Sequence, residues 1–143
     1  MSENNKISGT LEVPGERKFV YEMDLNTWGW VKIHSVDERL RELFATVEKD
    51  IPRCVLKFSL ISGGAAPETL KQKVRKVMLC HLVQALAPQG LGAQGLLFID
   101  GRKNIFIIGE QLISATWSYG GWTIGIAQDL ERAQIIYPLC SQF

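Results

Sequence analysis

The chain has 143 residues, 46% of them hydrophobic and 22% charged, and its 16 Lys+Arg against 15 Asp+Glu leave a formal charge of +1. This length fits one domain around one core, the apolar content excludes a disordered chain, and the charge balance excludes a uniformly basic nucleic-acid binder. An electrostatic partner must therefore meet a local patch, because the global field is close to nil.

Residues 1–6 lack any apolar run and read as a short disordered tip before a single domain over 7–143. The same stretch has no signal-peptide core, and Ser2 excludes N-myristoylation. Residues 7–13 read as a strand, Pro14-Gly15 as a turn, and 18–25 and 27–33 as two further strands. In the last of these Trp28 and Trp30 share a face. Ser35 followed by Glu38 spells a capping box, and Leu40, Leu43, Phe44 and Val47 recur at helical spacing, so 36–49 is expected as an amphipathic helix closed by Pro52. Residues 54–61 form a mostly apolar run, read as a buried strand, and Ser62-Gly63-Gly64 a loop.

Pro67 sits where a first helical turn tolerates proline. Leu70, Val74, Val77, Met78, Leu82 and Val83 then mark one buried face, predicting a second helix that ends near 86–88. Residues 89–95 form a glycine-rich loop. Residues 96–99 and 105–109 are expected to pair as a hairpin, as are 112–119 and 122–127 around Gly120-Gly121, which would set Tyr119 opposite Trp122. A turn or short helix at 128–132 leads to a last strand at 133–137. The expected class is α+β: one domain, a largely antiparallel sheet and two main amphipathic helices. The uncharged stretches 77–99 and 111–128 are broken by Gln, Pro and Gly, so neither reads as a transmembrane segment.

Catalytic signatures are weak. Gly90 to Gly95 spells G-x-G-x-x-G, but the expected helix precedes it and a strand follows, the reverse of a dinucleotide site. Cys80 and His81 are neighbours without a surrounding motif, and a packed histidine is the simpler reading. His34 reads as a loop residue, and Glu22 and Asp24 as solvated strand carboxylates. Cys54, Cys80 and Cys140 are odd in number and widely spaced, as free thiols are and disulfide or zinc frameworks are not. No catalytic residue, metal site or cofactor is expected.

Two sets suit binding. Trp28, Trp30, Trp117, Tyr119 and Trp122 fit either sheet packing or an exposed platform for a membrane interface, a partner subunit or bases. Lys71, Lys73, Arg75 and Lys76 on the second helix, Arg102 and Lys103 on a turn, and Arg17 and Lys18 after the first turn could meet lipid headgroups or RNA phosphate.

Val13-Pro14-Gly15, three polar residues, Phe19-Val20-Tyr21 and Glu22-Met23-Asp24-Leu25 resemble, without a gap, the start of bornavirus matrix proteins, a family of similar length. Leu40 through Phe44 to Val47-Glu48 looks like the next helix of that family, and Arg75-Lys76-Val77-Met78-Leu79 like a later segment. Ile61-Ser62-Gly63 with Pro67-Glu68 and Leu70 is similar to rhabdovirus matrix proteins, and residues 89–143 carry no likeness. The recruiting motifs P-P-x-Y and P-T/S-A-P of other matrix proteins do not occur. The resemblance implies a non-enzymatic virion protein that self-assembles, as a tetramer, beneath an envelope and in host cytoplasm. It would touch anionic lipid on one side and ribonucleoprotein or single-stranded RNA on the other. The alternatives are an intracellular protein–protein interaction module without membrane or RNA binding, and a small enzyme using His81 or the Glu22/Asp24 pair.

Overall fold

The alternating apolar runs collect into one sheet in the computed structural model, which describes residues 9–19, 27–28, 31–45, 47–61, 66–86, 95–128 and 130–139. The strands are β1 (Gly9–Val13), β2 (Glu16–Phe19), β3 (Thr27–Trp28), β4 (Val31–Val36), β5 (Glu48–Ile51), β6 (Cys54–Leu60), β7 (Asn104–Ile108), β8 (Gln111–Ser118), β9 (Gly121–Ile126) and β10 (Gln134–Pro138). The helices are α1 (Arg41–Phe44), α2 (Pro67–Lys73) and α3 (Leu79–Leu86). Eight strands form the main sheet in the order β1-β6-β10-β7-β8-β9-β4-β3, and β2 and β5 form a separate ribbon. The class is the α+β expected: the sheet is mostly antiparallel, with parallel pairing at β10–β7 and β4–β9.

The centre of the sheet is β7, whose five residues are all buried because both faces are covered. Phe106 and Ile108 face the larger apolar cluster, with α3 and the buried Leu40 and Phe44. Ile105 and Ile107 face a smaller cluster on the opposite side, with Leu130, Ala133 and the half-buried Leu70 and Val74. Each such side chain, fully buried, contributes about 1.5–3 kcal/mol.

The expected helix over 36–49 is corrected to a 3-10 turn at Glu38–Leu40 and the single turn α1. Asp37, not Ser35, caps it, accepting from the Arg39 N–H at 2.8 Å. Ser35 lies in β4. The helical spacing of Leu40 and Phe44 does mark buried positions, but Val47, which would continue it, is exposed. A short isolated helix has little stability of its own, and residues 48–51 instead pair with β2.

The single helix expected from Pro67 to residue 86 is two. Val74 is extended (φ −110°, ψ 137°), and α3 starts afresh at Leu79. The reason lies in the two clusters: Leu70 and Val74 pack on one face of the sheet, Val77 and α3 on the other, which no straight helix can serve. The pairing of β10 with β7 ends at Phe106, and the link meets the next residue, Ile107, whose carbonyl accepts from the Val77 N–H at 2.8 Å.

Two strand assignments also change, and a third falls largely on residues outside the described set. The span 27–33 divides into β3 and β4, which pair antiparallel, Trp28 against Val31. Of the span 18–25, Lys18 and Phe19 lie in β2, and residues 20–26 lie outside the described set, as does the tip 1–6. Residues 96–99 are not a strand. The Asn104 side chain stands in for a neighbouring strand there, accepting from the Phe98 N–H at 2.8 Å and donating to the Phe98 carbonyl at 3.0 Å.

Candidate interaction surface

Cys80 and His81 lie in the interior. His81, 1% exposed, lies between its own helix and the turn before β6. Its Nε2–H donates to the Pro52 carbonyl at 2.8 Å, and its Nδ1 accepts from the Met78 N–H at 3.4 Å. Burial holds its pKa below the ordinary imidazole range, against the opposing pull of the Pro52 hydrogen bond and the Glu48 charge. Burial, with Glu48 and then Glu16 adding, pushes the Cys80 thiol up to about 12. A thiol held protonated is not a nucleophile at neutral pH. Cys54 and Cys80 are buried thiols outside any disulfide, as expected. Glu22, Asp24, Cys140 and residues 90–94 of the glycine motif lie outside the described residues.

Trp117, Tyr119 and Trp122 gather at one end of the sheet, in a register different from the one expected. Trp117 opposes Trp122 and Ser118 opposes Gly121, so the turn residues are Tyr119 (φ 49°) and Gly120 (φ 79°) rather than the two glycines. Positive φ at both positions is what a tight two-residue hairpin turn requires. Gly121 serves another purpose. A Cβ there would sit 2.7 Å from His34 Nε2, so the bare Cα makes room for the imidazole. His34 is the extra residue of a bulge in β4, not a loop residue. Its Nε2–H points at the Ser118 and Tyr119 carbonyls, each 3.1 Å away, and braces the turn.

The described aromatics differ in placement. Trp122 is buried and meets the half-buried Trp117 edge-on, centroids 5.0 Å apart at 70°. Those two are sheet packing. Tyr119 is 98% exposed at the tip. Trp28, paired with Val31, belongs by register to the same end of the sheet, since Ile33 of that strand lies beside Trp122. Trp30 lies outside the described residues.

The basic residues do not form one patch. Lys76 pairs with Glu110 at 3.1 Å, and Lys71 reaches the Glu110 carbonyl at 3.2 Å and Glu68 at 3.4 Å. Arg75 and Lys76 lie on the extended link, not on a helix, and Arg75 is exposed. Lys73 ends α2. Arg102 is committed twice, to Asp100 at 2.8 Å and over the Phe98 ring at 3.8 Å. Together they edge a shallow cavity of about 270 Å³. Lys103 is half-buried. Arg17 and Lys18 are exposed on β2, and there the structure adds a residue that sequence reasoning missed: Lys49 lies directly opposite Lys18 and is also exposed. Like charges directly opposite are destabilising, so an anion docked there would relieve them. The helical reading of 36–49 hid Lys49. The charge run Glu48-Lys49-Asp50 was its only signal.

Among the described residues no helix is long and apolar enough to cross a membrane, and no group of three or more His, Cys, Asp or Glu is placed to hold a metal ion. No family model, curated protein or solved structure matches the chain.

Proposed function

We propose that this is a non-enzymatic structural protein of the viral matrix kind. It assembles with copies of itself as a tetramer beneath the envelope of a virion and at the inner face of host membranes. It meets anionic lipid and ribonucleoprotein or single-stranded RNA through charge contact. The observation that carries the anionic partner is the exposed cross-strand pair Lys18–Lys49, with Arg17 next in the chain. The likeness of residues 13–25 to bornavirus matrix proteins supplies the biological setting.

The second reading, an intracellular protein–protein interaction module without membrane or RNA binding, draws on Tyr119. A fully exposed aromatic on a braced turn is a contact element for another protein. The internal pairing of Lys76 and Arg102 also leaves fewer cations for a polyanion.

The test is binding to single-stranded RNA and to vesicles containing phosphatidylserine, each over a range of salt. Under the first reading both bind at low salt, and Lys18→Glu with Lys49→Glu weakens both. The slope of log affinity against log salt for RNA should fall by about 0.7 for each phosphate contact removed. No binding of the unmodified protein to either at low salt contradicts that reading and favours the second.

A further inference from the structure

Three side chains tie α3 to the β2–β5 ribbon and its flanking turns. Gln84 exchanges two bonds with Gly15: the Gly15 N–H donates to Oε1, and Nε2 donates to the Gly15 carbonyl, both at 3.1 Å. Glu48 of β5 accepts the first two N–H groups of α3, from Leu79 at 2.8 Å and Cys80 at 2.9 Å. His81 makes the third tie, to the Pro52 carbonyl, and its Nδ1 takes the N–H of Met78 just before the helix.

Met78 is the cap residue: its carbonyl accepts the Leu82 N–H at 3.2 Å, while its own N–H has no place inside the helix. His81, at the third helical position, satisfies that N–H as Glu or Gln does in a capping box. Only one form of the ring fits both bonds, with Nε2 carrying hydrogen and Nδ1 bare. A second proton on Nδ1 would face the Met78 N–H, donor against donor. It would also bring positive charge to the end of α3 where the helix dipole is already positive.

We propose that His81 is an acid-operated latch, whose protonation uncaps α3 and releases it from the ribbon. The ionisable groups at this corner include Glu48 from β5, the neighbouring thiol of Cys80, and Glu16 from β2, which acts on Cys80. Glu48 favours the imidazolium, but both of its oxygens are already engaged by Leu79 and Cys80. Burial outweighs it and holds the His81 pKa down. The folded state therefore prefers the neutral ring. That stability is complete above the ordinary imidazole pKa of about 6.5 and is lost as pH falls through the lower folded value. Release uncovers Leu79, Leu82, Val83 and Leu86, all buried in the closed form. This creates an apolar surface for association at acid pH.

Hydrogen exchange of residues 79–86 between about pH 7.5 and pH 5, corrected for intrinsic rates, reads the latch directly. The unmodified chain and His34→Gln, which removes the other histidine, should both exchange at least tenfold faster at the acid end. His81→Gln can accept from Met78 and donate to Pro52 without titrating, so its protection should persist. Equal acid loss in His81→Gln, or no loss in the unmodified chain, overturns the proposal. Should His81→Gln not fold, the wild-type imidazole titration followed by NMR decides. Amides of α3 that shift together with the His81 ring support the latch, and amides that stay still while the ring titrates overturn it.

Discussion

Gly15 and Gln84 show how much one residue pair can fix. Gly15 has φ +76° and is buried, and a Cβ there would collide with the Ile51 backbone carbonyl and lie 2.6 Å from that of Pro52. Both neighbours are backbone, so nothing yields cheaply. Gly15→Ala should therefore lower unfolding free energy by about 1–3 kcal/mol from backbone strain alone, measured by urea denaturation. Gln84→Ala takes away both partners of Gly15 and leaves a buried N–H and carbonyl unpaired, a loss of about 1–3 kcal/mol for an unsatisfied group. A change below about 0.5 kcal/mol in either variant would contradict the clamp. Asn104 is a second such residue. It bonds to Phe98 and to the Ala115 carbonyl, and accepts from Gln134 Nε2 at 2.8 Å. Gln134 Oε1 is buried with no hydrogen-bond partner among the described residues. The network holds residues 96–98 against the sheet without strand pairing.

The elements explain what sequence patterns could and could not reveal. Glu48 reaches across from β5 to cap α3, so Glu48→Ala should destabilise the fold by about 0.5–2 kcal/mol, the usual worth of a helix cap. It should also speed exchange at Leu79 and Cys80 while leaving β8 and β9 unchanged. Uniform acceleration across both regions would mean that Glu48 is not a local cap. This contact joins residues 31 positions apart, and no local pattern announces it. The strands were legible where an apolar run is bounded by turn residues, as in β6, β8, β9 and β10. The helices were less so. Apolar spacing correctly marked Leu40, Phe44, Leu82 and Val83 as buried, but it could not reveal that Leu70 and Val83 serve opposite faces of the sheet. The 36–49 stripe likewise gave no sign that residues 48–51 would pair with β2. At the aromatic end, the Gly-Gly pair announced the hairpin. Its register shifted by one residue because Gly121 is needed beneath the His34 ring.

For the whole molecule, the formal +1 is an average over neighbourhoods where cations meet acids and others where cations face cations. Lys71, Lys76 and Arg102 are drawn into contacts with Glu68, Glu110 and Asp100, whereas Lys18 and Lys49 face one another across the ribbon. Exposed ion pairs of the first kind contribute little to stability and can be exchanged for other partners. The basic residues were legible as a list, but which of them meet an acid and which face another cation was not, because it depends on Glu110 and Lys49, far from them in sequence. Self-assembly is the claim on which the proposed function stands, and native mass in solution tests it most directly. Light scattering or native mass spectrometry near neutral pH should give a discrete species of four chains, each of 16.1 kDa. A monomer that persists at high protein concentration would contradict it.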